Sequence, residues 1–335
     1  WLSLIIEQQH PKPLPNFDYK IIVGNTLISK LNNEIINVNW TLNETSNGLF
    51  GQDLASKRVE LFKLLSEEQK KYFDPSIDKK KHSKIIQETK TLLLITQLEL
   101  MIKESQFEHP PVERNYKSKT KYVEACEKYD QTVRLKDTLE VLKNNSNKPD
   151  FRLEFFDWKL DFPEVMNETI NEKVGFDIII ANPPWDVYEG KKKTEIKDLL
   201  EYEIYNKCKG GKINAYELFL AKTDTLLRID GINCQIFQNS FLADNSSAGV
   251  RAHYLNNQQI ISIDSFPERD DPRKRVFESV KMSVCILISK KNVVEDYGFT
   301  VVFHNDRTRT KMDKVRFLKS EISHFDPKNC VIPRL

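Results

Sequence analysis

The spacing of apolar and polar positions changes character twice along the chain. Trp1 to Ile6 is mostly apolar and reads as the tail of a buried helix. His10-Pro11-Lys12-Pro13-Leu14-Pro15 then forces an extended connector, because proline fixes φ and restricts the residue before it. Tyr19 to Val23 is a short apolar run closed by Gly24-Asn25, which predicts a strand with a turn at its carboxyl end. From about Gln52 to Asn147 the spacing becomes helical and glycine almost disappears. Leu92, Leu93, Ile95, Thr96, Leu98, Glu99 and Ile102 repeat at helical intervals, and Val133, Leu135, Leu139 and Leu142 do so more sparsely. Three long helices are expected, broken near Asp74-Pro75 and His109-Pro110-Pro111. The run Lys79-Lys80-Lys81 reads as a solvated helix start rather than a binding patch.

After Pro149 the chain alternates strand and helix. Phe176 to Ala181 is continuously apolar apart from Asp177, as expected for a strand covered on both faces. An amphipathic helix follows from Asn214 to Ile229 and is expected to stop at Gly231, before a strand from Ile232 to Gln238. Ser246 to Asn256 reads as a helix, and Ile260 to Phe266, Val280 to Ser289 and Phe299 to Phe303 as strands. This alternation predicts an α/β fold with a mostly parallel sheet and helices on both faces. Asp306 to Lys319 is basic and less regular, and reads as a connector.

Composition narrows the classes. At 335 residues the chain has room for about two domains. Lysine and arginine number 51 against 49 acidic residues, a balance that names no partner because a neutral total can hide a basic face. No apolar stretch approaches the ~20 residues of a membrane-spanning helix. Cys126, Cys208, Cys234, Cys285 and Cys330 are scattered without a C-x-x-C pair. Cys234 and Cys285 sit in apolar runs, where buried, reduced thiols are expected, and a reducing cytoplasm fits best. The start at Trp1, inside an apolar segment, reads as a fragment of a longer polypeptide. The ten glycines form no G-x-G, no Walker loop and no G-x-S-x-G elbow, and no H-E-x-x-H is present. Simple dehydrogenases, nucleotide-triphosphate enzymes and common hydrolases therefore lack support. The six histidines have no ligand spacing, so no metal site is assigned.

Asn182-Pro183-Pro184-Trp185 follows the strand Phe176 to Ala181 directly, where ligands of open α/β sheets bind. Two successive prolines stiffen the backbone and remove two N–H donors. What remains is the Asn182 side-chain oxygen, free carbonyls and an aromatic ring. Such a set suits an exocyclic amine on a planar heterocycle, which donates twice while its ring stacks on Trp185. The bland alternative is an ordinary proline-terminated strand.

The tetrapeptide resembles the catalytic signature of amino-group DNA methyltransferases acting on adenine N6. The chain is most similar to the type IIG restriction–modification enzymes with a fused methyltransferase. Leu14 to Ile21 with Gly24-Asn25-Thr26-Leu27 is similar to that family's third-strand segment, which implies contact between Asn25 and the adenine ring of S-adenosylmethionine. Asp161-Phe162-Pro163-Glu164-Val165 resembles a structural segment before the catalytic strand. Asn214-Ala215-Tyr216-Glu217-Leu218-Phe219 resembles the helix whose phenylalanine, here Phe219, packs on the cofactor; core packing is the alternative. Arg275-Val276-Phe277 resembles the segment that offers a second aromatic to a flipped base, and Phe277 as a plain loop anchor is the alternative.

The resemblance implies a Rossmann-like S-adenosylmethionine-dependent methyltransferase core, incomplete because its first two strands would precede Trp1, with a long helical insertion. It divides the chain into an early core part (1–50), the insertion (51–148), the catalytic core (149–304) and a connector towards a target-recognition domain (305–335). The strand after Phe277 is expected to run antiparallel to its neighbours. Double-stranded DNA and the missing amino-terminal segment are the implied partners, and the chain alone is expected to be inactive. The competing reading is a catalytically incomplete nucleic-acid-binding or scaffold fragment, whose Lys-rich helices and 306–319 segment grip phosphate. Pro149-Asp150 with Asp157-Trp158-Lys159 loosely fits a metal-dependent nuclease template, at a spacing that gives it low weight.

Overall fold

The computed structural model describes residues 18–31, 34–40, 48–74 and 76–333. The expected helix tail at Trp1 to Ile6 and the proline connector that follows lie outside them. Contacts divide the chain into two compact units, Trp1–Glu172 and Lys173–Leu335.

The first unit is built on three helices, α1 (Gly48–Lys71), α2 (Lys79–Ser105) and α3 (Lys119–Ser146). Asp78 caps α2 by accepting from the amides of Lys80 and Lys81. Helix α2 packs against both α1 and α3, so it needs apolar residues around much of its circumference. That is why Leu93, Leu94 and Leu98 are all fully buried beside Phe62, Leu65 and Leu142. Leu160 joins the same core from the short helix α4 (Trp158–Asp161), which is followed by α5 (Pro163–Met166). A two-residue hairpin, β1 (Lys30–Leu31) with β2 (Glu34–Ile35), completes the unit.

Tyr19 to Val23 is not a strand. It forms a turn and an irregular segment, with Tyr19 at φ +61° and Val23 98% exposed. A short apolar run forms a strand only where a ladder partner satisfies its backbone. Gly24 is required by close approach, because a Cβ there would lie 2.2 Å from the Phe156 ring.

The second unit centres on a six-stranded mixed sheet. Its strands are β3 (Phe176–Ala181), β6 (Leu227–Gln238), β7 (Gln259–Phe266), β8 (Val284–Lys290), β9 (Gly298–His304) and β10 (Met312–Leu318). They lie in the order β10-β9-β7-β8-β6-β3. β3 runs parallel to β6 and β7 parallel to β9, whereas β8 is antiparallel to both β6 and β7, as expected for the strand after Phe277. Helices α6 (Ala215–Leu226) and α7 (Ala248–Asn257) connect β3 to β6 and β6 to β7. A small ladder of β4 (Val187–Tyr188) with β5 (Ile213–Asn214) lies between β3 and α6. The last helix is α8 (Lys319–Phe325).

Several expectations change here. β3 is an edge strand and is not covered on both faces, since Ile178 is 60% and Ile180 78% exposed. Register places these two beside Ile232 and Cys234 of β6, which in turn lie beside Lys290 and Ile288 of β8. One sheet face thus carries a half-exposed apolar band, and Cys234 is only half-buried. Gly231 does not stop a helix. α6 ends at Leu226, β6 begins at Leu227, and Gly231 sits where a Cβ would come 2.8 Å from the Phe176 carbonyl, beside a register shift. The expected strand from Val280 starts only at Val284. The supposed connector 306–319 contains β10, paired along its length with β9. Its charged residues obscured the alternation of Val315 and Phe317, and charge is usual on an exposed edge strand.

Candidate functional site

The second unit gathers its polar and aromatic chemistry at the carboxyl ends of the parallel strands. β3 leads straight into Asn182-Pro183-Pro184-Trp185, with Asn182 exposed, Pro183 buried and Trp185 half-buried. The Trp185 indole N–H donates to the Asn182 Oδ1 at 3.2 Å, which orients the carboxamide and uses one of its two lone pairs. The backbone of the loop is held on two sides. Gln238, buried at the end of β6, donates to the Trp185 carbonyl at 3.0 Å. The Ala215 amide, at the start of α6, donates to the Asp186 carbonyl at 2.8 Å, next to the β4–β5 ladder.

Phe277 arrives from the β7–β8 loop and meets Trp185 with ring centroids 5.3 Å apart and planes at 81°. The two rings come together as expected, but they do not face each other across a base-sized gap. They touch edge to face, the arrangement favoured by the aromatic quadrupole. The Arg275 guanidinium fixes this loop by donating to the carbonyls of Arg269 (2.7 Å), Asp270 (2.7 Å) and Glu278 (3.1 Å). It therefore ties together the chain on both sides of Phe277.

Gln238 and Arg275 were not legible as site residues. The only signal for Gln238 is a polar residue ending a buried strand. Arg275 was visible only as the first residue of the Arg275-Val276-Phe277 segment.

Behind the loop lies a buried polar network. Glu217 is fully buried, and its Oε1 accepts from Asn214 Nδ2 (2.7 Å) and Ser247 Oγ (2.9 Å). Its Oε2 has no hydrogen-bond partner. The Tyr216 hydroxyl bridges Ser240 (2.9 Å) and Ser247 (2.7 Å). Burial pushes the Glu217 carboxyl up to about 7, and the hydrogen bonds from Asn214 and Ser247 and the Arg251 charge offset only part of that rise. With the unfolded value near 4.5, the folded state binds more protons than the unfolded state between about pH 4.5 and 7. Stability from this group therefore falls as pH rises through that window. Glu217→Gln keeps both accepted hydrogen bonds and should stabilise the protein at pH 8 by roughly 2–3 kcal/mol, with little effect at pH 4. Urea unfolding at the two pH values checks this, and equal changes at both would refute the buried, pH-sensitive acid.

The remaining sequence candidates are Phe219 and Asn25. Phe219 is half-buried on α6, between the fully buried Leu218 and Leu220. Asn25 belongs to the first unit, where it lines a cavity of about 830 Å³ together with Tyr19, Phe156 and the buried pair Lys90–Asp161. Its Oδ1 accepts from the amides of Leu27 (2.9 Å) and Ile28 (3.4 Å).

The nuclease template is used structurally. Asp157 caps α4, and Lys159 pairs with Glu168 at 2.9 Å. Among the described residues, no group of three or more His, Cys, Asp or Glu is placed to hold a metal, and no helix is long and apolar enough to cross a membrane.

Comparison with known proteins identifies the family. The family model described as "Eco57I restriction-modification methylase" matches residues 47–271, more than half of the chain, and that span includes the Asn182 loop, α6 and Gln238. Type II methyltransferase M.HincII of Haemophilus influenzae is 26% identical over 139 residues, covering 40% of this chain and 27% of the relative. M.HindII of the same species is also 26% identical, with 26% of its length covered. The chain thus spans about a quarter of the length of these relatives. Among solved structures, the type IIG restriction endonuclease BpuSI aligns with 84% of this chain and 40% of its own, at 12% identity and a TM-score of 0.37. The type I enzyme EcoKI M protein aligns with 85% of this chain and 66% of its own, at 12% identity and a TM-score of 0.29. The chain belongs to the Eco57I restriction-modification methylase family.

Proposed function

We propose that this chain is the catalytic portion of a type IIG-like DNA methyltransferase that methylates adenine N6 from S-adenosylmethionine, in a restriction–modification or related phage-defence system. The observation that carries the reading is the Asn182 carboxamide, oriented by Trp185 beside Phe277 at the end of β3. The target adenine leaves the duplex at a cost of a few kcal/mol. Asn182 Oδ1 then accepts one N6 hydrogen on its second lone pair, and the Pro183 carbonyl accepts the other. Both contacts concentrate lone-pair density on N6 and fix its direction of attack. Positioning thus does most of the work, without a strong general base. Trp185 and Phe277 must part from their edge contact to admit the base, and the Arg275 fork limits how far the Phe277 loop moves.

S-adenosylmethionine, when bound, supplies an electrophilic methyl group. The residues present fit it in part. Phe219 offers a half-exposed aromatic face and Asn25 an amide nitrogen for an adenine ring. The sequence has no G-x-G turn for the rest of the cofactor. The free edge of β3 and the exposed Ile178 and Ile180 support completion of the site by a preceding amino-terminal segment, in cis or as a separate polypeptide.

The test uses the enzyme assembled with that segment and a duplex carrying 2-aminopurine at the target position. Phe277→Ala should weaken capture of the extruded base by about 1–3 kcal/mol, seen as a smaller fluorescence rise on binding. An unchanged rise would reduce Phe277 to a loop anchor and remove the aromatic half of the site.

A further inference from the structure

The first unit carries a second feature that the methylase chemistry does not use. A groove of about 830 Å³ runs between the amino-terminal half of α2 and the segment after α3. Lys79, Lys80, Lys84, Lys148 and Arg152 line it, all exposed, against only two carboxylates, Glu88 and Asp150. The single ion pair among these residues is Lys84–Glu88, loose at 3.8 Å. Lys148 Nζ donates to the neutral Asn145 carboxamide at 2.7 Å, and Lys79 Nζ lies 5.8 Å from the centre of the Tyr72 ring, so neither charge is neutralised.

The amides that open α2 are capped by Asp78, so the lysines that follow it, Lys79-Lys80-Lys81, are not needed there to build the helix. Three groove-lining residues of α2 and two from the segment after α3, some seventy residues on, present positive charge to one concave surface. Like charges gathered in this way cost stability unless a polyanion offsets them.

We infer that this groove holds the phosphodiester backbone of duplex DNA, so that the helical insertion is a phosphate-gripping arm and not a spacer. The choice of DNA as the polyanion rests on the methylase reading. The sign, shape and repeated cations of the groove suit a phosphodiester strand better than one compact anion.

The test is fluorescence anisotropy of the full chain with a labelled 30-base-pair duplex, across a series of KCl concentrations. Replacing Lys80, Lys84, Lys148 and Arg152 together by Gln should make the slope of log affinity against log salt shallower by about three to four, at ~0.9 per phosphate contact. A control replaces Lys119, Lys121, Lys128 and Arg134 of α3, which lie outside the groove, and should leave the slope nearly unchanged. An unaltered slope in the groove variant, or an equal change in the control, overturns the inference. Displacement of the duplex by millimolar inorganic phosphate at fixed ionic strength overturns it too, in favour of a compact-anion site. In the enzyme assembled with the amino-terminal segment, Asn182→Ala should leave the salt slope intact while methyl transfer falls by roughly 10²-fold or more, so the groove and the methylase reading fail in different measurements.

Discussion

Asn182→Ala should lower methyl transfer by roughly 10²–10³-fold or more, the range lost when one preorganised polar group is removed from a reacting centre. The oxygen it removes is already aimed, since the Trp185 indole N–H holds it at 3.2 Å. In the proposed reaction, preorganisation of this kind needs no reordering when charge develops on the amine. DNA affinity should change little, because phosphate contacts elsewhere supply most of it. Transfer of a tritiated methyl group to duplex DNA by the assembled enzyme gives the rate, and anisotropy gives the affinity. Turnover near that of the unaltered enzyme would sink the assignment of Asn182. A parallel loss of DNA binding would instead place Asn182 in substrate affinity. Trp185→Phe offers a milder comparison, because it keeps a ring but removes the donor that aims the carboxamide.

What was legible in the sequence follows from how local each signal is. The three helices of the first unit were readable because Leu93, Leu94 and Leu98 recur at helical spacing in a stretch almost free of glycine. The Asn182-Pro183-Pro184-Trp185 loop was readable because two prolines after an apolar run can do little else than end a strand. The antiparallel sense of β8 came from family resemblance and agrees with the observed pairing. Features that depend on partners distant in sequence were misread. Tyr19 to Val23 has strand-like composition but no ladder partner, and β3 has a buried-strand composition at an open edge. Gly231 carries the signal of a helix stop, yet a bulge against Phe176 produces the same residue choice. β10 was hidden because an edge strand paired only with β9 tolerates charge at most of its positions.

The residues that hold the site in place were the least legible of all. Gln238, Arg275 and Glu217 act through main-chain carbonyls or through neighbours brought close by the fold. A polar residue bonded to a distant carbonyl leaves no periodicity in sequence. The Arg275 fork illustrates this, because its three acceptors become neighbours only once the loop has closed. The same holds for the buried arginine of α7, where the cost of an error is greatest.

Arg251→Met should destabilise the protein by about 3–5 kcal/mol, because several buried carbonyls lose their donor together at about 1–3 kcal/mol each. Arg251 is completely buried, and it bonds only to main-chain carbonyls. Its Nε donates to the carbonyls of Asn329 and Cys330, each at 2.9 Å, and Nη2 donates to Asn329 again at 2.5 Å. Nη1 donates to Phe241 at 2.8 Å and Asp244 at 3.2 Å. One guanidinium therefore joins α7 to the turn after β6 and to the carboxyl-terminal segment, which the Ile332 amide also ties to the Leu242 carbonyl at 2.8 Å. Methionine fills similar volume but leaves these carbonyls buried without a donor. Arg251→Lys should recover little, since a single ammonium cannot present a planar fork to acceptors in several directions. The turn so anchored begins directly after Gln238, which holds the Trp185 carbonyl, so unfolding of this corner should release the Asn182–Trp185 loop early. Urea unfolding monitored by circular dichroism gives the stability, and a loss below about 1 kcal/mol for Arg251→Met would place it among ordinary hydrogen-bond deletions and overturn the buried anchor.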